Sequence, residues 1–380
     1  MKNVVIIGCG IIGAAIAYRL SKTKDLKITV IDQNPPAQGS TGAALGVLMG
    51  VISQKSKGRA WQLREASMRC YEILIPELEA ITGLTIPFNC QGILMLRLAD
   101  DNLESWEKLL KIRNSQSWDL ELWDRDKLKT KCPQLNNDND EIIGAVYSPQ
   151  DRQLDPTILT QALVAAGQKN GVTFKFGISV EDFASISAKD SNLQICHQIY
   201  TNEATLKIDW LVIAAGIGST KLANLLLKNS HHSTESLIIK PVLGQALQLR
   251  LENIIGDPDF QPVITGNDIH IVPLGKGNYW VGATVEFPNE SGEVIPQAAL
   301  LEKVRQEAIA FCPALARGSI VRTWFGKRPR PEGKSAPVIE KLPGYSNVLL
   351  ATGHYRNGVL LAPATAEAIG ILIASFPSPS

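Results

Sequence analysis

MKNVVIIGCGIIGAAIAYRLSKTKDLKITVIDQ, residues 1–33, is the stretch that decides the fold of this protein. Val4–Ile7 is a short, apolar, β-branched run, which predicts a strand buried on both faces. Three glycines in G-x-G-x-x-G spacing follow it, and the small and apolar residues after them predict a helix. A second strand is predicted over Ile28–Ile31. The stretch therefore predicts a strand–helix–strand unit of a parallel sheet, opened by a dinucleotide-binding turn.

Each glycine of this turn has a separate physical role. Gly8 is expected to make the tight turn, Gly10 to let the backbone approach a pyrophosphate, and Gly13 to let helix and strand pack closely. The helix N-terminus then offers N–H groups and the positive end of its dipole to the phosphates. Asp32 ends the second strand at the spacing of an acid that binds the ribose hydroxyls. A strand-end cap is the alternative role for this carboxylate.

Bulk properties restrict the class of protein. With 380 residues and a formal net charge of +1, the chain can bury a large core, should form about two domains, and shows no bias toward nucleic acid or anionic membranes. We expect no apolar run of the roughly 18 residues that span a bilayer, and no signal peptide ahead of Val4. The six scattered cysteines predict reduced thiols, no disulfide, no metal site and a cytoplasmic location.

Two further segments support a nucleotide site. Residues 34–50, NPPAQGSTGAALGVLMG, contain two prolines that stop the sheet and then small residues suited to lying against a dinucleotide. An ordinary flexible loop is the alternative for this segment. Residues 211–219, LVIAAGIGS, predict another buried strand that ends at glycine. A doubly wound sheet closes over a bound nucleotide in this way.

The remaining pattern predicts the layout of the chain. Helices are predicted at 59–82, 102–114, 124–131, 155–170, 296–311 and 357–374, and strands at 88–98, 173–176 and in a second, antiparallel sheet over 237–285. His231-His232 is expected in a solvated loop. The predicted fold class is α/β, with a doubly wound, Rossmann-like nucleotide-binding domain (1–52, 150–235 and 334–380) and a discontinuous α+β substrate domain built on an antiparallel sheet (53–149 and 236–333).

Five segments resemble the amine-oxidising flavoproteins of the D-amino-acid oxidase superfamily, and within it the glycine oxidases. They are the glycine motif, STGAALG at 40–46, VPLGKGNYWVGATVE at 272–286, WFGKRP at 324–329 and GHYRNGVLLAPAT at 353–365. The resemblance runs through the whole chain in order and is strongest at residues 1–50 and 321–368.

The resemblance implies that the nucleotide is FAD and that it is bound non-covalently, because Cys312 does not align with the cysteine that tethers flavin in some relatives. It also implies that Arg328, in the R-P pair, holds the substrate α-carboxylate, and that Arg356 lies near substrate and flavin. Matching the motifs position by position implies FAD contacts at Gly8, Gly10, Ile11, Ile12, Gly13, Asp32, Gln33, Ser40, Thr41, Gly42, Ala43, Ala44, Leu45, Gly46, Val47, Val180, Gly216, His354, Tyr355, Arg356, Asn357, Gly358, Val359 and Leu360.

The sequence departs from the glycine oxidase pattern at the substrate side. The tyrosine that usually precedes I-V-P-R is His270 here, and the arginine of that motif is Leu274. The motif R-P-x-T-x-D-G is RPRPEGK, which adds Arg330 and Lys334. These differences concern the choice of substrate and leave the flavin chemistry in place.

Several of these residues have a second interpretation. Arg328 and Arg330 could belong to a solvated basic loop, and Arg356 could form a salt bridge at the start of a helix. His270 could line the pocket or lie on a strand surface. His354 is expected to be a packed histidine beside the flavin rather than a base.

The implied reaction is FAD-dependent oxidative deamination of glycine or another small amino acid, with hydride transfer from Cα to flavin N5. Oxygen would be the acceptor and hydrogen peroxide a product. Arg328, Arg356 and His270 are the predicted catalytic residues, and the helix start at Asn357 and Gly358 would stabilise negative charge on the flavin. Alternatives are a dehydrogenase that passes electrons to a quinone or other carrier, and a flavoprotein assembly or binding factor without turnover. The sequence is also compatible with a homo-oligomer.

Overall fold

The computed structural model describes residues 1–136, 140–188, 192–228 and 236–375, so the predicted loop at His231-His232 lies outside the described residues. The helices are α1 (Ile11–Ser21), α2 (Gly58–Thr82), α3 (Leu103–Ser115), α4 (Arg125–Lys131), α5 (Pro156–Lys169), α6 (Ser219–Lys228), α7 (Ala298–Phe311) and α8 (Gly358–Ser375). The strands are β1 (Lys2–Ile7), β2 (Leu26–Asp32), β3 (Val47–Leu48), β4 (Phe88–Asn89), β5 (Ile93–Leu98), β6 (Glu121–Trp123), β7 (Ile142–Ser148), β8 (Arg152–Leu154), β9 (Thr173–Phe176), β10 (Val180–Ser187), β11 (Gln194–Thr201), β12 (Thr205–Lys207), β13 (Trp210–Ile213), β14 (Ile239–Arg250), β15 (Val263–Gly266), β16 (Ile269–Pro273), β17 (Asn278–Gly282), β18 (Ser319–Pro331), β19 (Val338–Lys341) and β20 (Val348–Thr352).

The first sheet has the order β19-β20-β13-β1-β2-β9 and is parallel except for the edge strand β19. Its central strand β1 is buried on both faces. Val4 and Ile6 pack into the core that contains α1, whereas Val5 and Ile7 pack into the core that contains β11 and α6. An apolar run without alternation is the expected sequence for such a strand, and the predicted doubly wound sheet is confirmed.

The second large sheet has the order β18-β14-β17-β16-β15-β5-β7-β6. The predicted antiparallel sheet is confirmed over β14–β17. One pair in the larger sheet differs, because β5 and β15 pair in parallel. These two strands are far apart in the chain, so no hairpin constrains their relative direction. The basic-loop alternative for Arg328 and Arg330 is also wrong. Both lie in β18, a strand of 13 residues that pairs along its length with β14.

Most predicted helices are confirmed with small shifts at their ends, but α6 was not predicted. The strand expected over 211–219 ends at Ile213, and α6 begins at Ser219. Leu222, Ala223 and Leu226 are buried on one side of α6. Their spacing of one to four positions is typical of an amphipathic helix, but the run is too short to stand out beside a strand that ends in glycine.

The C-terminal helix corrects the expectation that no apolar run could span a bilayer. α8 has 18 residues and is apolar enough to do so by length and composition. Within the described fold, 56% of it is buried, and it packs against α1 and α2 as a core helix does. The cytoplasmic location stays a prediction.

The division into two domains also stays a proposal. The first sheet is built only from segments assigned to the FAD-binding domain. Some contacts cross the proposed boundary: α2, assigned to the substrate domain, packs against α5 and α8, and β4 of the same domain pairs with β8.

Candidate functional site

The turn after β1 has the geometry of a phosphate-binding loop. Gly8 has a φ of +107°, and a Cβ atom added there would lie 2.5 Å from the Ala214 carbonyl oxygen. A Cβ on Gly13 would lie 1.9 Å from the Gly8 carbonyl oxygen, so α1 can approach the turn only with glycine at this position. Gly10, at the N-cap position of α1, has no side chain that could shield the start of the helix. The positive end of this helix is therefore available to an anion such as a pyrophosphate.

Asp32 lies against this loop at the end of β2. Its Oδ2 accepts a hydrogen bond from the Cys9 backbone N–H at 2.6 Å, and its Oδ1 accepts from the Asn34 N–H at 2.9 Å. The second bond is the strand-end cap named as the alternative, and the first joins the carboxylate to the glycine turn. The Asp32 carbonyl accepts from the Ile178 N–H at 3.0 Å, which places the segment leading to Val180 at the same edge. Binding of a ribose by Asp32 stays a prediction.

The segment of small residues that follows β2 joins this edge to the second sheet. Thr41 Oγ1 accepts from the Ile11 N–H at 3.0 Å, which holds the segment against the start of α1. Ser40 Oγ donates to the Lys327 carbonyl at 2.6 Å, and Trp324 Nε1 donates to the Ala43 carbonyl at 3.1 Å. The expected FAD-contacting segment therefore bridges the glycine turn and strand β18, which carries Arg328.

A buried carboxylate outside the sequence motifs fixes the chain just beyond this segment. Asp151 accepts from the N–H groups of Gly50, Val51 and Ile52 at 2.7, 2.8 and 2.8 Å. Arg113 Nε donates to the Val51 carbonyl at 2.7 Å from the other side. Both side chains are fully buried, so the turn between β3 and α2 is held by a carboxyl group and a guanidinium group from two distant parts of the chain.

Arg328 is a fixed cation. Its Nη1 donates to the carbonyl oxygens of Leu243 and Thr284, each at 3.0 Å. A Cβ atom on Gly244 would lie 2.2 Å from Nη2, so the guanidinium packs directly against the Gly244 backbone and only glycine leaves room for it. Burial lowers the pKa of Arg328, and the charge of Arg356 lowers it further. No described residue forms an ion pair with Arg328 or accepts from its Nε or Nη2, so these donors can meet a carboxylate.

Glu286 ends the motif at 272–286 but was not predicted as a site residue, and it supports the carbonyl that holds Arg328. It is 4% exposed and accepts from Gln245 Nε2 and from the Gln297 N–H, both at 2.9 Å. The Thr284 hydroxyl also donates to Glu286, and its oxygen accepts from the Gln245 N–H at 2.8 Å. The Thr284 carbonyl is therefore fixed for Arg328. The sequence signal that could have identified Glu286 is its position directly after the apolar strand pattern at 279–285.

Arg356 forms the helix-start salt bridge that the sequence left open. Its Nη2 lies 3.2 Å from Asp268 Oδ1, and its Nη1 donates to Asp268 Oδ2 at 3.3 Å. The preceding residue, Tyr355, donates its N–H to the Pro329 carbonyl at 2.9 Å, so Arg356 stands beside the strand of Arg328. Contact of Arg356 with substrate stays a prediction.

His270 belongs to the same group of residues. It is half-buried, and its Nδ1 lies 2.9 Å from Thr265 Oγ1. Burial lowers the pKa of His270 to about 4, with further lowering by Arg356 and Arg328 and partial opposition by Asp268. His270 is therefore neutral at pH 7. The structure brings the three predicted catalytic side chains, Arg328, Arg356 and His270, close to one another.

His354 is a packed histidine, as expected. It is buried, and its Nε2 lies 2.9 Å from Thr365 Oγ1. Because the Thr365 hydroxyl donates to the Leu361 carbonyl at 2.8 Å, the hydroxyl oxygen must accept, and His354 Nε2 carries the proton. Burial lowers the pKa of His354 to about 3, with a smaller contribution from Arg59. A neutral histidine with a fixed tautomer therefore precedes α8.

These two histidines predict acid sensitivity of the fold. Their folded-state pKa values of about 4 and about 3 lie below the unfolded value of about 6.5, so the unfolded chain binds protons first as the pH falls. Stability is fully present above about pH 6.5 and should fall by about 1–2 kcal/mol per histidine between pH 7 and pH 5. Urea unfolding at several pH values measures this loss. His354→Gln and His270→Gln should each reduce the slope, and unchanged slopes in both would contradict the assignment.

Comparison with known proteins agrees with this geometry. The family model for FAD dependent oxidoreductases, DAO, matches residues 3–370. The bifunctional protein ThiO/ThiG of Synechocystis sp. is 31% identical over 378 residues, which cover 98% of this chain and 51% of that protein. Glycine oxidase of Bacillus subtilis is 28% identical over 372 residues, covering 97% of this chain and 92% of that enzyme. The crystal structure of glycine oxidase from Geobacillus kaustophilus has a TM-score of 0.84 at 23% identity, covering 99% of this chain and 96% of that one.

The chain spans about half the length of the ThiO/ThiG relatives that it matches and nearly the whole length of the glycine oxidases. The family match runs through both large sheets and includes the glycine turn, β18 and the start of α8. The chain therefore belongs to the DAO family of FAD-dependent oxidoreductases, and FAD is its cofactor.

Proposed function

We propose that this oxidoreductase deaminates glycine or another small amino acid, with oxygen as electron acceptor. The balanced reaction converts amino acid, oxygen and water to 2-oxo acid, ammonia and hydrogen peroxide. The observation that carries the proposal is Arg328, a guanidinium anchored by two carbonyl oxygens and without an ion-pair partner among the described residues. It lies on a strand that the predicted FAD-contacting segment touches at Ser40.

The residues present fit FAD. The N-terminus of α1 would hold the pyrophosphate, and Asp32 would accept from the ribose hydroxyls. When bound, FAD supplies the two-electron acceptor for the hydride that leaves the substrate Cα. The N-terminus of α8, at Asn357 and Gly358, would face negative charge on the ring with the positive end of the helix dipole.

The substrate would be oriented by its carboxylate. Two parallel hydrogen bonds from the Arg328 guanidinium fix direction as well as position, which aims the Cα–H bond in one direction. The neutral ring of His270 would form part of the pocket wall without adding charge. A substrate amine that has lost its proton to water provides the lone pair that assists hydride departure, so no side chain has to act as a base.

An anaerobic titration separates this proposal from its alternatives. Glycine, sarcosine or D-alanine should bleach the flavin absorbance, and readmitted oxygen should restore it quickly with formation of hydrogen peroxide. Bleaching followed by recovery only with a quinone would indicate a dehydrogenase. If no amine bleached the flavin, a binding or assembly role would be favoured. Activity only on large D-amino acids, or on amines without a carboxylate, would refute the proposed substrate class.

The mode of cofactor binding gives a second test. The purified protein should be yellow and release intact FAD on acid precipitation, and Asp32→Ala should weaken FAD binding by about 1–3 kcal/mol, the scale of a charge-assisted hydrogen bond. Equilibrium dialysis measures the dissociation constant. Asp32→Asn keeps an acceptor for the Cys9 N–H and controls for distortion of the glycine turn. An unchanged constant in Asp32→Ala would remove Asp32 from the site, and flavin that stayed with the precipitate would contradict non-covalent binding.

A further inference from the structure

The tip of the β15–β16 hairpin holds one of the two arginines of the candidate substrate site. Asn267 and Asp268 form this tip with φ values of +46° and +63°. The two oxygens of the Asp268 carboxylate lie 3.2 and 3.3 Å from the two terminal nitrogens of Arg356 and form an ion pair with them. The Arg356 side chain is 33% exposed and that of Asp268 is 70% exposed, so the pair lies where the site opens to solvent.

Backbone contacts place this pair beside Arg328. Tyr355 donates its N–H to the Pro329 carbonyl, which sets Arg356 next to the strand that carries Arg328. His270, two residues after Asp268, pairs across β16 and β17 with Gly282. The chain then continues to Thr284, whose carbonyl holds Arg328. The β15–β16 hairpin thus holds Arg356 through Asp268, and the segment that follows the neighbouring strand β17 holds Arg328 through Thr284.

The two arginines differ in their charge balance. Arg328 is anchored by neutral carbonyl groups and keeps its full positive charge for a ligand. Arg356 is matched by the Asp268 carboxylate in a two-point ion pair. A ligand with one carboxylate needs only the first guanidinium. A ligand with two carboxylates would bring its second negative charge to a cation that is already neutralised, and close to the Asp268 oxygens.

We propose that Asp268 determines substrate specificity: by occupying Arg356, it makes the site select amino acids with a single carboxylate over dicarboxylic ones. The inference rests on the proposed role of Arg328 in holding the α-carboxylate. Asp268, an exposed turn residue, would exclude substrates such as N-carboxymethyl or acidic amino acids by its effect on charge rather than by limiting the size of the pocket.

Ligand binding tests this without turnover. The dissociation constants of acetate and malonate are measured by calorimetry on the FAD-loaded protein. Asp268→Asn should strengthen malonate binding relative to acetate binding by roughly three- to tenfold, the effect of one unmasked charge near the surface. Asparagine is chosen because it tolerates the left-handed backbone of the turn. Asp259→Asn, which removes the same charge from an exposed loop between β14 and β15, should leave the ratio unchanged.

A double variant shows which cation is responsible. Asp268→Asn combined with Arg356→Gln should return the malonate to acetate ratio to that of the unaltered protein. A ratio that did not change in Asp268→Asn, with an unaltered melting temperature, would overturn the inference. So would a gain that survived in the double variant. If the ratio shifts as expected but no amino acid bleaches the flavin, the selection by charge stands and the proposed oxidation fails.

Discussion

Arg328→Ala is expected to lower kcat/KM for the amino-acid substrate by about 2–5 kcal/mol of transition-state stabilisation, which is roughly 30-fold to several thousand-fold. Removal of the guanidinium leaves the substrate carboxylate in a water-poor pocket without a partner. It also leaves the carbonyls of Leu243 and Thr284 without their donor. Steady-state kinetics measure the loss. Benzoate binding, followed through the visible flavin spectrum, should disappear in the same variant.

Two further variants at this strand separate the role of the side chain from general effects of charge. Arg328→Lys should restore only part of the activity, because an ammonium group cannot keep the Nη1 anchors and offer a planar pair of donors at once. Arg330→Ala removes an exposed arginine from the same strand and should change kcat/KM little. FAD binding should survive in all three variants.

Normal saturation by substrate and a normal benzoate spectrum in Arg328→Ala would contradict the proposal. Arg356 would then be the residue to hold the carboxylate, and Asp268 would have to release it first. The Asp268→Asn variant distinguishes the two assignments. If Arg328 holds the carboxylate, the variant should strengthen binding of dicarboxylates alone. If Arg356 holds it, the variant should strengthen binding of every carboxylate ligand.

The nucleotide side of this fold could be predicted from the sequence because its determinants are local. The apolar run of β1, the glycine spacing and the acid at the end of β2 lie within one strand–helix–strand unit. Backbone conformation forces glycine at Gly8, and close packing forces it at Gly13. Such requirements leave a pattern in the sequence regardless of what the rest of the chain does.

The substrate side depends on contacts between distant segments. β18 was not predicted as a strand because it is an edge strand with charged residues and prolines, which are features that protect edges and also mark loops. The parallel pairing of β5 with β15 and the ion pair of Asp268 with Arg356 leave no local pattern. Motif matching found Arg328, Arg356 and His270 but not the residues that hold or neutralise them.

Asp151→Ala is expected to destabilise the fold by about 3–5 kcal/mol. The substitution leaves three backbone N–H groups in the core without an acceptor, and it removes a carboxyl group whose charge raises the pKa of the buried Arg113. Asp151→Asn retains one acceptor oxygen and should cost less. Urea unfolding of the FAD-loaded protein measures the difference. Asp140→Ala, at a carboxylate that is 97% exposed, should stay within about 0.5 kcal/mol of the unaltered protein.

The same variant should weaken FAD binding, although Asp151 is not among the expected FAD contacts. The N–H groups that it holds, at residues 50–52, lie three to five positions after Val47, where the expected contact segment ends. That segment is also fixed by Gln153 Nε2, which donates to the Leu45 carbonyl at 3.0 Å, so loss of one anchor should loosen it without releasing it. A variant that lost stability but kept its FAD dissociation constant would show that the Gln153 anchor is sufficient, and that Asp151 serves the fold alone.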